Sequence, residues 1–142
     1  MSNNKIDQLL STKSGLLSVY FTAGFPALDD TRTVLRGLQK AGVDFVEIGM
    51  PFSDPLADGP VIQKSSLVAL QNGITIAKLM EQLDGMRSEI SMPVILMGYI
   101  NPVMHYGLEL FLSDCQVRGV DGVILQELPW DEFVADYKPL FE

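Results

Sequence analysis

Residues 45–63 read Phe45-Val-Glu-Ile-Gly-Met-Pro-Phe-Ser-Asp-Pro-Leu-Ala-Asp-Gly-Pro-Val-Ile-Gln63. An apolar run carries one carboxylate, Glu47, and opens into a loop carrying two more, Asp54 and Asp58. Phe45 to Gly49 has the character of a short buried strand, where an ionised side chain is costly unless it is paired, hydrated or protonated. Glu47 therefore calls for a functional site or for a Lys or Arg partner in the core. In the loop, Pro51, Pro55 and Pro60 with Gly49 and Gly59 obstruct helix and strand alike and fix a shaped backbone that projects Asp54 and Asp58. Local chemistry leaves two readings open: a site built on these carboxylates, or a core ion pair at Glu47 with both aspartates serving only their turns.

Working outward, the chain alternates strand and helix. Leu16 to Ala23 is nearly continuous apolar sequence rich in β-formers, as expected of a parallel strand covered on both faces, and Gly24-Phe25-Pro26 ends it. Asp29 and Asp30 precede a helix with Val34, Leu35, Leu38 and Ala41 on one side and Gly42 as its stop. Beyond the loop, Val61 to Leu70 reads as a helix ending at Asn72-Gly73. Thr75 then caps another whose apolar positions run Ile76, Leu79, Met80, Leu83, Met86 and Ile90.

Pro93 to Tyr99 is the third strand, and Asn101-Pro102 is expected to start a loop containing His105 and Gly107. Leu108, Phe111, Leu112 and Cys115 mark the next helix, stopped by Gly119. A fourth strand, Gly122 to Leu125, leads through Glu127-Leu-Pro-Trp to a helix opened by Asp131 with Phe133, Val134 and Tyr137 on one side. At the other end of the chain, Asn3 or Asn4 caps a short helix through Ile6, Leu9 and Leu10, expected to cover one end of the core.

Four strand-helix units at intervals of roughly 25 to 35 residues predict an α/β fold with a parallel sheet in the order 1-2-3-4. Glu47, Asp58, Tyr99 and Glu127 all fall at or after strand C-terminal ends. That is the reactive face of an eight-fold β/α barrel and the ligand-binding edge of an open sheet, so the pattern alone does not choose between them. Length bears on the choice: such barrels run to about 250 residues, and this chain supplies four of eight units. Half a barrel leaves two parallel strand edges and an apolar interior uncovered, so the expectation is a partial chain that forms about half of a single domain.

Composition narrows the function classes. With 142 residues, 47% of them hydrophobic, the chain can bury one core. No charged segment precedes a long apolar run, and no apolar segment approaches the roughly 20 residues that cross a bilayer, so a soluble, cytoplasmic protein is expected. One cysteine, Cys115, and one histidine, His105, offer neither an internal disulfide nor a cluster of soft metal ligands; no metal is expected. Ten basic against eighteen acidic residues give a net charge of -8, which disfavours a phosphate backbone as partner.

The opening motif closely resembles the signature of the tryptophan synthase alpha family. The likeness runs on through Tyr-Phe-Thr-Ala-Gly-Phe-Pro near residue 20, Met-Gly-Tyr-Ile-Asn-Pro near residue 100 and Gly-Val-Asp-Gly-Val-Ile near residue 120. It covers the N-terminal half of the family's (β/α)8 TIM barrel. The resemblance implies a lyase that cleaves indole-3-glycerol phosphate to indole and glyceraldehyde 3-phosphate without a cofactor, and an alpha2beta2 assembly in which the beta subunit takes the indole. By motif, Glu47 corresponds to the general acid/base, and burial in a strand is expected to raise its pKa toward neutrality. Asp58 corresponds to the residue that hydrogen-bonds the indole nitrogen and is expected to stay ionised. Tyr20, Tyr99 and Leu125 fall on the walls of the indole pocket by the resemblance, although each, taken alone, reads first as core packing. Pro51, Asp54 and Pro55, with Asn101 and Pro102, fall on the surface that docks the beta subunit. Gln126-Glu127 departs from the family, which has a small residue or proline followed by aspartate there, and the bulkier pair is expected to shift that loop. The family's later tyrosine and its glycine-rich phosphate-binding loops belong to the other half of the barrel. The alternative to an enzyme is a noncatalytic fragment that retains only folding or partner docking.

Overall fold

The computed structural model describes residues 4–141. Four strands, β1 (Ser18–Thr22), β2 (Phe45–Gly49), β3 (Val94–Tyr99) and β4 (Gly122–Gln126), form one parallel sheet in the order β1-β2-β3-β4, as the alternation predicted. Helices α1 (Lys5–Thr12), α2 (Asp30–Lys40), α3 (Pro60–Gln71), α4 (Ile76–Leu83), α5 (Ile100–Tyr106) and α6 (Leu108–Arg118) precede or connect the strands. After β4, α7 (Trp130–Glu132) runs through a π-helical turn at Phe133–Tyr137 into α8 (Lys138–Phe141).

The register sorts the strand residues into two faces. Val46 and Ile48 of β2 and Val94 and Leu96 of β3 are fully sealed from solvent and pack with Leu35, Leu79, Leu83, Met86 and Phe111 from the helices. Each such side chain contributes about 1.5–3 kcal/mol by leaving water. Because side chains alternate along a strand, the intervening residues face the other way. Ser18, Tyr20 and Thr22 of β1 therefore share that second face with Glu47 and Gly49 of β2, Ile95, Met97 and Tyr99 of β3, and Ile124 and Gln126 of β4.

Several elements differ from expectation. β1 spans five residues rather than eight and is half-buried over Ser18 to Phe21, since it forms one edge of the sheet. The helix expected to run to Ile90 stops at Leu83. Asp84 is extended, Gly85 turns left-handed at φ 65°, and a 3-10 turn at Met86–Ser88 carries Met86 and Ile90 into the same core. The loop expected at Asn101-Pro102 is the first turn of α5, where a proline costs nothing because its missing N–H has no helical acceptor. The last helix begins at Trp130, one residue before Asp131.

At the start of the chain, Asn4 is the cap: its side chain accepts from the Ile6 amide at 2.8 Å and donates to the Asp121 carbonyl at 2.8 Å. Asn3 lies outside the described residues. Ile6 packs toward Gly122 while Leu10 is 61% exposed, so α1 covers less of the core than its apolar spacing promised.

Candidate active site

Glu47 is the middle residue of β2, and the burial of Val46 and Ile48 against the helices turns it to the second face. It is half-buried rather than buried, because that face of the sheet is open. Its Oε1 accepts a hydrogen bond from the Ser18 hydroxyl at 2.7 Å. No Lys or Arg pairs with it among the described residues, so the core ion pair that local reading allowed is not what the chain builds.

Two strand residues beyond Glu47, Gly49 makes room for Tyr20. A Cβ there would lie 1.9 Å from the Tyr20 hydroxyl and 2.4 Å from its ring carbon, so the phenol rests directly against the β2 backbone. Burial pushes the Tyr20 pKa above its ordinary value. A hydrogen bond with Thr22 opposes this, and the negative potential of Asp58, with smaller effects from Tyr99 and Glu47, adds to it. The phenol is consequently neutral at physiological pH. These interactions place Tyr20 among the two carboxylates and Tyr99.

Asp58 comes from the proline-rich loop, whose shape is held by its own backbone. The Leu56 amide donates to the Asp54 carbonyl at 2.9 Å, and the Asp58 amide to the Pro55 carbonyl at 3.1 Å. From the first turns of α3, the Gln63 amide group donates to the Asp58 carbonyl at 2.9 Å. The loop is also tied to β3: the Ala57 amide donates to the Tyr99 hydroxyl at 2.9 Å, and the Phe52 and Tyr99 rings lie 5.1 Å apart. Tyr99 is 2% exposed, and its pKa is raised first by burial; the Ala57 amide opposes, and the charges of Asp58 and Glu127 push it further up. Tyr99 thus anchors the loop that carries Asp58 as well as walling the face.

Leu125 is not where its expected role requires it. Register pairs it with Gly98 and packs it beside Val123 and Leu128 against the helix-side core. Its neighbour Ile124, paired with Met97 and 40% exposed, presents the apolar surface on the Glu47 face instead. Strand alternation counted back from Gln126, the partner of Tyr99, would have selected Ile124 from sequence. Ser18 and Thr22 were also missed, since neither carries a signal until the register aligns β1 with β2.

Gln126 and Glu127 close the site on the β4 side. The Gln126 Oε1 is buried without a hydrogen-bond partner among the described residues. Glu127 adopts a left-handed backbone, φ 63°, the one non-glycine residue to do so among those described. Pro51, Asp54 and Pro55 lie in the loop and Asn101 and Pro102 at the start of α5, so all five border the same end of the sheet; Asp54 and Asn101 are exposed. Among the described residues no group of three or more His, Cys, Asp or Glu could hold a metal ion, and no helix is long and apolar enough to cross a membrane.

Glu47, Asp58, Tyr20 and Tyr99 thus gather on one face of a parallel sheet built from strand-helix units, the arrangement of a β/α-barrel protein. The sequence profile of "Tryptophan synthase alpha chain" matches residues 6–138. The chain belongs to that family. It is 54% identical over 139 residues to the tryptophan synthase alpha chain of Christiangramia forsetii, covering 98% of this chain and 54% of the relative. The corresponding protein of Parabacteroides distasonis is 52% identical, with 96% and 54% covered. Among solved structures, tryptophan synthase subunit alpha from Legionella pneumophila superposes with a TM-score of 0.91 at 37% identity, covering 99% of this chain and 55% of that one. The chain spans about half the length of the curated relatives it matches.

Proposed function

We propose that these residues form the N-terminal half of a single (β/α)8 barrel domain of a tryptophan synthase alpha chain, which cleaves indole-3-glycerol phosphate to indole and glyceraldehyde 3-phosphate. The observation that carries the reading is the joining of Glu47, Asp58, Tyr20 and Tyr99 on one face, through the Gly49 notch and the Ala57–Tyr99 hydrogen bond.

In this reading the Glu47 carboxyl gives its proton to the ring carbon that bears the glycerol chain, and positive charge develops at the indole nitrogen. Asp58 accepts the hydrogen bond from that nitrogen and stabilises the charge. The Glu47 carboxylate then takes the proton from the adjacent glycerol hydroxyl as the carbon-carbon bond breaks. The bonding electrons return to the ring, the alcohol becomes the aldehyde, and Glu47 ends protonated as it began. Tyr20 and Ile124 offer flat or apolar surface to the indole, and Tyr99, itself buried, holds the loop that carries Asp58.

The remaining assignments rest on family membership. The protein works without a cofactor in the cytoplasm, and the exposed Asp54 and Asn101, with Pro51, Pro55 and Pro102, dock the beta subunit of an alpha2beta2 assembly. The substrate phosphate is held by loops of the other barrel half. The test is indole release by the full-length protein: Glu47→Gln should lower kcat by about 10²- to 10⁴-fold while substrate binding stays measurable. Wild-type turnover in that variant would refute the acid/base assignment. The 142-residue segment assayed alone should show no Glu47-dependent release, because phosphate anchoring and barrel closure are both required for positioning.

A further inference from the structure

We propose that Ser18 is a positioning residue for Glu47: its hydroxyl fixes one carboxylate oxygen so that the other is presented to the reacting ligand. The inference deepens the acid/base reading of Glu47 and rests on it. Ser18 is the first residue of β1, and the register places it opposite Phe45, on the same face as Glu47 and one step nearer the N-terminal end of the sheet. From there its Oγ donates to Glu47 Oε1 at 2.7 Å, the one hydrogen bond the carboxylate makes among the described residues.

A serine hydroxyl has a single proton, so this bond fixes its direction, and Glu47 is the acceptor. With Oε1 tied toward the base of the sheet, Oε2 has no hydrogen-bond partner among the described residues, and the mouth of the site, where Asp58 and Tyr99 are joined, lies on the side away from Ser18. A glutamate has three side-chain torsions, and without the bond its carboxylate samples orientations that do not meet the ligand. Proton transfer needs donor and acceptor within about 2.6–3.2 Å, so a carboxylate held in one orientation spends more of its time in reach. The bond spans 29 residues of sequence and forms only when β1 and β2 pair in this register.

The experiment measures kcat and KM for indole release by the full-length protein carrying Ser18→Ala, Ser18→Thr, Ser18→Val or Glu47→Gln, with crystal structures of the Ser18→Ala and wild-type forms. Ser18→Ala should lower kcat about 3- to 10-fold with KM changed less than about twofold, the signature of lost positioning rather than lost binding. Threonine and valine are nearly the same shape and both suit a strand, so the Thr variant should turn over at least about threefold faster than the Val variant because it alone keeps the hydroxyl. In the Ser18→Ala crystal the Glu47 carboxylate should move or spread over more than one orientation. Wild-type or higher kcat in Ser18→Ala, equal kcat in the Thr and Val pair, or an unmoved Glu47 overturns the proposal for Ser18 and leaves the function reading standing. Activity that survives Glu47→Gln overturns the function reading and this proposal with it.

Discussion

On the helix side of β2, Val46 and Ile48 are sealed from water among the side chains of α2, α4 and α6, whereas on the other side of the same five residues Glu47 is half-buried and hydrogen-bonded to Ser18. On β3 the contrast is partial: Val94 and Leu96 are fully buried on one side, and on the other Met97 is half-buried between the buried Ile95 and Tyr99. Apolar packing fixes which way the strands face, and the opposite side is then free to carry groups that packing would never choose. Stability and chemistry are thereby assigned to alternate residues of the same strands, and mutations on the two faces should separate them.

The largest expected effect tests that separation directly. Leu96→Ala removes a fully buried side chain from the helix-side core and should cost about 2–5 kcal/mol of unfolding free energy, enough to leave a marginal domain largely unfolded. Glu47→Gln, one position off the core on the neighbouring strand, should change unfolding free energy by less than about 1 kcal/mol. Urea denaturation of both variants checks the pair; a Glu47→Gln loss as large as that of Leu96→Ala would mean that the two faces are not energetically distinct.

Gly49→Ala should blur the boundary between the faces. The added methyl points to the active face and would meet the Tyr20 hydroxyl at 1.9 Å, so the phenol must leave its seat against β2. A cost of about 1–3 kcal/mol is expected, together with a lower kcat, since Tyr20 is displaced from beside both carboxylates. Gly49→Ala combined with Tyr20→Ala should recover part of that stability, because the clash has one partner; absence of any recovery in urea melts would place the strain elsewhere.

How much of this was readable beforehand follows from the same two-sidedness. The limits of β2, Phe45–Gly49, were legible because an apolar run is bounded there by prolines and glycines on one side and a helix stop on the other. Asp58 and Tyr99 were readable together from their place at strand ends, whereas Glu47, in the middle of β2, joins them through the face it shares and not through its place along the strand. Leu125 was misplaced because an apolar residue in a mostly apolar strand carries no mark of its face, and only pairing with Gly98 rather than Tyr99 resolves it. Asn101-Pro102 is ambiguous in sequence between a turn and a helix start, and the structure resolves it as the first turn of the helix Ile100–Tyr106. Gly85 broke the helix expected to reach Ile90 although the apolar spacing continued, since a 3-10 turn keeps Met86 and Ile90 facing the core. Neither the Ser18–Glu47 bond nor the left-handed Glu127 left any trace in local sequence.

Glu127 offers a smaller effect at the rim of the active face. Its φ of 63° is strained for a residue with a Cβ, and glycine adopts it freely. Glu127→Gly should therefore raise unfolding free energy by about 1 kcal/mol, read as a higher urea midpoint with unchanged slope. Unchanged or lower stability would show that contacts of the glutamate side chain outweigh the backbone strain.

The smallest effect belongs to the outer surface and distinguishes the two faces by pH. Glu89 accepts from the Arg32 guanidinium and, at 2.7 Å, from Arg36 Nε, and Arg32 in turn donates to the Gln82 and Asp84 carbonyls. The hydrogen bonds from Arg36 and Arg32, in that order, hold the Glu89 carboxyl down to about 2, against 4.5 for an unperturbed glutamate. A carboxyl whose folded pKa lies below its unfolded one favours the folded state fully above the unfolded value, and the contribution fades as pH falls toward the folded value. The stability difference between the wild type and Glu89→Gln should accordingly be constant above about pH 5.5 and shrink between pH 4.5 and 2. Comparing the two proteins in urea at each pH cancels the carboxylates they share. Salt should reduce the difference at neutral pH, since Glu89 and Arg36 are 30% and 55% exposed and the pair is open to screening. A difference that grew as pH fell would reverse the sign of the linkage and exclude the two arginines as its source.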